Sequence, residues 1–152
     1  MDAWLSAIEA SALAEGLRAS FVLYPLVNAF HILAAGALVT TVLMLDIRVL
    51  GGFKALAFDP FATLMRRAAL LGFTGAALSG LALFSVRATD YVGNVAFLAK
   101  LGLIALAGAN FLLLARAGRG KAEAAAMRIA AWLSLLLWPA VLVAGRFIGF
   151  LE

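Results

Sequence analysis

Four uninterrupted apolar runs, each long enough to cross a bilayer, leave this chain few choices. A spanning helix needs about 20 predominantly apolar residues, rising about 1.5 Å each. The runs cover about 21–45, 61–86, 95–115 and 125–151, and little chain is left between them. The bilayer core has no water to satisfy backbone N–H and C=O groups, so each run must bond within itself as a helix. The reading is therefore an all-α fold, a four-helix antiparallel transmembrane bundle forming one integral membrane domain over 1–152. Local breakers fall between the runs. Gly51-Gly52 follow the first, and Asp59-Pro60 read as an N-cap and an N1 proline for the second. Gly93-Asn94 open the third run, with Asn94 as its cap, and Gly118 and Gly120 close it.

Composition agrees. Hydrophobic residues make up 66% of the chain and charged ones 13%, too few polar side chains to cover a soluble globule of 152 residues. This excludes an ordinary soluble domain, a disordered chain and a nucleic-acid binder. The net charge of +4 is better read through the loops. Arg48, Lys54, Arg66 and Arg67 flank the first loop, and Arg116, Arg119, Lys121 and Arg128 flank the third. Against these eight, the other side has four: Arg18, Arg87, Lys100 and Arg146. The excess predicts both basic loops cytoplasmic and both termini facing outward, which is periplasmic in a bacterial inner membrane. Tyr24, Tyr91 and Trp4 then form an aromatic belt at the outer interface. The first twenty residues carry Asp2, Glu9 and Glu15 and lack a signal peptide's basic start and apolar core. About 3–15 reads instead as a short interfacial helix ending near Gly16, which leaves the first span to act as an uncleaved insertion signal.

Ionisable groups inside a span are costly and mark function by default. His31 lies roughly 15 Å into the first run, and Lys100 and Arg146 sit about five residues inside the ends of the third and fourth. Tyr24, Asn28 and His31, spaced i, i+4, i+7, make one polar stripe. The candidate cofactor-binding set is His31, Asn28, Tyr24, Lys100 and Arg146, lining one pocket toward the outer leaflet, with no acid at that depth. The plain alternatives are snorkelling for the two cations and a hydrogen bond from His31 to Asn28 or a helix carbonyl. No catalytic residue is assigned, and the chain reads as no enzyme on its own. His31 is the one candidate metal ligand, because there is one histidine and no cysteine, and bis-histidine haem needs a second copy. Met44, Met65 and Met127 lie too far along the helices to complete a His–Met pair.

Other polar and small residues read as structural. Asn110 is expected to bond between helices, and Gly72, Gly75, Ser79 and Gly80 to admit a neighbouring backbone, as does the weaker pair Gly145 and Gly149. Asp46 and Arg48 are expected at the bundle mouth, pairing with Arg66, Arg67 or Arg116, outside any hydrophobic core. Pro139 should interrupt the fourth helix by freeing the Leu135 carbonyl, with a kink and a cavity beside Trp138.

Several of these residues also carry a resemblance. Tyr24-Pro25-x-x-Asn28-x-x-His31, continuing to Asp46-x-Arg48-x-x-Gly51, is one part of it. Tyr91-x-x-Asn94-x-x-Phe97-x-x-Lys100, Asn110, Ser134-x-x-x-Trp138 and Gly145-Arg146-x-Ile148 are the others. Together they resemble a family of uncharacterised bacterial four-helix inner-membrane proteins, a domain of unknown function. The layout is also loosely similar to copper-resistance D proteins and b-type cytochrome bundles, which handle copper or haem on the periplasmic side. The expected function is an outer-leaflet polar pocket for a redox cofactor or lipid-like ligand, haem b or a quinone. The alternatives are a structural or assembly subunit of a larger membrane complex, and a metal or solute permeation protein. The expected partners are the lipid bilayer and either further copies of the chain or a partner membrane subunit, with no nucleic acid.

Overall fold

The computed structural model describes residues 2–116 and 121–150. The expected breakers Gly118 and Gly120, and Arg119 of the third loop, lie outside the described residues. The described residues form helices α1 (Asp2–Glu9), α2 (Ala12–Ala19), α3 (Leu23–Val49), α4 (Phe58–Val86), α5 (Ala88–Gly93), α6 (Val95–Arg116) and α7 (Lys121–Phe147). A 3-10 turn at Ile148–Phe150 follows α7. The fold is all-α, and α3, α4, α6 and α7 are each long and apolar enough to span a membrane.

Helix boundaries differ from the sequence reading where hydropathy and hydrogen bonding part company. The expected interfacial helix is two helices. Ser11 breaks it by accepting from the Ala14 backbone N–H at 3.3 Å, a cap that starts α2 and leaves Gly16 in its interior. α3 runs past Leu45 to Val49, since the charges of Asp46 and Arg48 end the apolar run without interrupting the backbone ladder. It stops at a Schellman turn, in which Gly52 N–H bonds Ile47 C=O at 2.8 Å and Gly51 N–H bonds Arg48 C=O at 3.2 Å. Gly51 takes φ 105° there, a conformation glycine adopts without steric cost. α4 begins at Phe58, so Asp59 and Pro60 lie inside its first turn rather than at the cap and first position. Both suit that turn, where N–H groups have no helical acceptor and a negative charge meets the helix dipole. Asn94 does cap α6, its Oδ1 accepting from the N–H groups of Ala96 at 2.9 Å and Phe97 at 3.1 Å. α7 is continuous through Pro139, and Trp138 is packed in the core.

The bundle is built inside out relative to a soluble protein. Leu33 is 70% exposed and Leu71 75%, whereas Ala34, Ala69, Ala107, Ala131, Ser79 and Ser134 are buried. Lipid tails are as apolar as leucine, so large side chains gain little by turning inward and small ones let helices close. α3 packs chiefly on α4, α6 on α7, and α7 on α3, with no close backbone approach of α6 to α3 or α4 among the described residues. Leu38, Val39, Val42, Ala69, Ala107, Trp138 and Val141 fill the centre.

The α3–α4 seam is the tightest joint. A Cβ added at Gly72 would lie 2.8 Å from the Leu38 nitrogen and 3.0 Å from the Ala34 carbonyl oxygen, both backbone atoms. One added at Gly75 would lie 3.2 Å from the Ala34 Cβ. The small residues of α4 therefore face protein. Gly149 differs, with open space around it, so Gly145 and Gly149 do not act as a pair.

The N-terminal helices are pinned over one end of the bundle. Arg18 donates from Nη1 to the Val86 carbonyl at 2.9 Å, satisfying the last turn of α4, and from Nη2 to the Glu9 carbonyl. The Glu9 carboxylate accepts from the Thr89 N–H at 2.8 Å at the start of α5. That bond holds its carboxyl below the ordinary value of 4.5. Phe84, Tyr91 and Phe97 cluster beside this lock, with ring centroids 5.3 to 6.2 Å apart.

Candidate functional site

His31 turns inward and meets α4. Its Nδ1 lies 3.0 Å from Ser79 Oγ, and the same hydroxyl lies 2.6 Å from the Gly75 carbonyl oxygen. A carbonyl only accepts, so the serine's single proton goes to Gly75 and His31 Nδ1–H must be the donor to Oγ. That assignment leaves the ring's other nitrogen, Nε2, as the one able to accept a proton or ligate. The partner expected from sequence was Asn28 or a helix carbonyl; the structure supplies a serine of the facing helix, with the Ala76 carbonyl of the same helix also bonded to the ring. Gly80 makes this approach feasible, because a Cβ there would stand 3.1 Å from His31 Cε1.

Lys100, half-buried on α6, lays its side chain along α7 at Gly145, where a Cβ would meet its Cε and Nζ at 3.5 Å. Its charge lies within electrostatic reach of the His31 ring. His31 thus packs against Gly80 of α4 and Lys100 against Gly145 of α7. Arg146 is exposed and stacks its guanidinium 4.5 Å from the centroid of Phe150. Asn28 is exposed, and Tyr24 is half-buried one end further up α3. Tyr24 lines a wide groove of about 490 Å³ with Arg18, Arg87, Tyr91 and Pro25, which His31 does not reach.

The opposite end of the bundle holds a feature that sequence reading placed differently. Asp46 is 4% exposed, inside α3 rather than at the mouth. Its carboxylate accepts from the Ser134 hydroxyl of α7 rather than from Arg66 or Arg67, its Oδ2 has no hydrogen-bond partner among the described residues, and the Arg116 side chain lies outside them. A cavity of about 50 Å³ adjoins it, and Thr41, Asn110, Ser134 and Arg66 share the wall. Asn110 makes the expected interhelical bond, donating to the Ala130 carbonyl at 2.9 Å. Arg48 reaches back over its loop to the Leu56 carbonyl at 3.0 Å, with its guanidinium 5.5 Å from the Phe58 ring centroid. The signal available in the sequence was the register, since Asp46 falls one helical turn after Val42 on the inward face of α3.

Compared with family models, with curated proteins and with solved structures, the chain matches none of them.

Proposed function

We propose that this chain is a small inner-membrane binding protein for a lipid-like molecule with an oxygen-bearing head group, of the quinone and quinol class, held in the outer half of the bundle. The observation that carries this reading is the His31–Ser79–Gly75 hydrogen-bond chain, which leaves Nε2 as an acceptor, with the Lys100 charge within electrostatic reach of the ring. A quinol hydroxyl donates to the first, and a quinone carbonyl accepts from the second. No acid competes for the lysine at this depth, and four apolar helices supply a lipid phase from which an isoprenoid tail enters. Both termini periplasmic, as the loop charges favour, puts the pair in the outer leaflet.

Haem b fits these residues less well. One chain offers one histidine, so a bis-histidine haem needs a second copy. Tyr24 and the groove it lines serve as the entrance for the head group, with Arg18 and Arg87 on its rim. Asn28 and Arg146 stand outside the binding pair.

Binding of a short-tailed benzoquinone to protein in nanodiscs, followed by tryptophan quenching, tests this. Wild type should bind saturably, and Lys100→Met and His31→Gln should each weaken binding about tenfold, the loss of about 1.4 kcal/mol expected for a charge-assisted or buried hydrogen bond. Non-saturable quenching, or wild-type affinity in both variants, would remove the reading. A Soret band in protein purified without added haem would replace it with haem.

A further inference from the structure

The groove beside the N-terminal helices has a chemistry of its own. It lies where α3 begins at Leu23 and α4 ends at Val86, so it opens at the level where two spans leave the hydrocarbon. Its volume of about 490 Å³ falls in the range of roughly 300–1,000 Å³ typical of small-molecule sites. The wall carries two cations, Arg18 and Arg87, and no acid. Arg18 Nη1 bonds the Val86 carbonyl at 2.9 Å, in the peptide link that leads into Arg87, which sets its guanidinium beside the Arg87 backbone. Both arginines are exposed. Glu9 lies within electrostatic reach of Arg18, yet its carboxylate bonds the Thr89 N–H, and neither Glu9 nor Asp90 lines the groove.

The hydroxyls of the wall add donors. Ser20 Oγ accepts from the N–H groups of Val22 at 3.4 Å and Leu23 at 3.1 Å, so its lone pairs are engaged and its proton is left to donate. Tyr24 brings a second hydroxyl, on the first turn of α3, where the helix dipole is positive. Two guanidinium groups and two hydroxyl donors around one groove suit an anion. Phe21, 91% exposed on the groove wall, and the exposed Leu26 one turn into α3 offer apolar surface beside it. An anion held at the ends of two spans with apolar surface alongside is a lipid phosphate, its chains lying along those side chains. The ammonium of a zwitterionic head group would bring a third cation to a wall without an acid, so an anionic head group fits better. We propose that this groove binds an anionic phospholipid of the phosphatidylglycerol class, its phosphate held by Arg18 and Arg87 and its head group bonded by Ser20 and Tyr24. The lipid sits on the rim of the quinone's entrance and does not depend on that reading.

Thermal unfolding of the whole chain in detergent, titrated at constant ionic strength with short-chain phosphatidylglycerol, short-chain phosphatidylcholine or inorganic phosphate, provides the test. Phosphatidylglycerol should raise the melting temperature by several degrees and saturate, as expected for a ligand that binds only the folded state. Phosphatidylcholine should need a severalfold higher concentration. Arg87→Gln should weaken the phosphatidylglycerol response about tenfold, the loss expected for a charge-assisted hydrogen bond. Arg128→Gln, which removes an exposed cation of α7 outside the groove, should leave that response unchanged. Should Arg87→Gln fail to fold, Tyr24→Phe decides the matter, since it removes one hydroxyl and should weaken the response severalfold. Equal responses to the two lipids, or a response undiminished in the deciding variant, overturn the proposal. Inorganic phosphate matching phosphatidylglycerol also overturns it and makes the groove a site for a free anion. Benzoquinone binding is read separately through His31→Gln and Lys100→Met, so either ligand can fail without the other.

Discussion

The two ends of this bundle solve the same problem in opposite ways. Each places one ionisable side chain of α3 inside the bundle and gives it one serine from a facing helix: Ser79 of α4 for His31, and Ser134 of α7 for Asp46. At the His31 end glycines bring the helices together, the ring lies flush against Gly80, and the neighbouring charge is the cation Lys100. At the Asp46 end a cavity of about 50 Å³ adjoins the acid, its wall mostly apolar with Thr41, Asn110, Ser134 and Arg66 on it. The serine is the partner of one atom of each group, and the surroundings of the other atom differ: the Lys100 charge lies near the His31 ring, and a cavity adjoins the Asp46 carboxylate.

The largest perturbation should come at the seam joining the two ends. Gly72→Leu places atoms where the Leu38 and Ala34 backbones already lie and should cost about 3 kcal/mol, against little for Gly102→Leu, which faces open space. Melting curves of the two in the same detergent check this, and equal curves would mean that the seam is not what holds the ends in register. Next comes Ser134→Ala, which strips the buried Asp46 of its donor and should cost about 2 kcal/mol. Its effect should stay at the lower end, leaving benzoquinone affinity unchanged.

Ser79→Ala removes the acceptor of His31 Nδ1–H, at a cost of about 1 kcal/mol. The sharper readout is ¹⁵N NMR of the imidazole. Wild type should show a protonated Nδ1, and the variant a mixture of tautomers; unchanged spectra would separate His31 from Ser79. The smallest effect concerns the N-terminal lock. Glu9 is held below its ordinary value of 4.5 by the Thr89 N–H, so its contribution is complete above that pH and is lost as pH falls through the folded value. Hydrogen exchange at Thr89 should accelerate below about pH 4.5 while exchange within α3 stays slow. Uniform acceleration across both would tie the lock to the whole bundle.

Legibility followed the physics of each feature. The four spans and the Asn94 cap were readable because each depends on local residues: a long apolar run, or a side chain bonding N–H groups two and three positions on. The inward-facing glycines of α4 were readable because lipid does not reward small residues. The break at Ser11 was hidden because serine caps only when the preceding turn ends. Asp46 was misplaced because a charge near the end of an apolar run looks like a boundary, while its burial depends on how far α3 continues and on α7 standing opposite.

For His31, the sequence alone determined that a polar ring would lie deep in the first span, with Lys100 at similar depth and no acid beside either. Which atom of the ring is free was decided by tertiary structure, through a hydroxyl on another helix already committed to its own backbone. Sequence likewise determined that the chain is an all-α membrane protein, since the backbone in lipid must bond to itself along each apolar run. Only packing decided that one end closes on glycine and the other opens on a carboxylate. Both outcomes depend on side chains brought together from different helices, and no spacing along a single run encodes them.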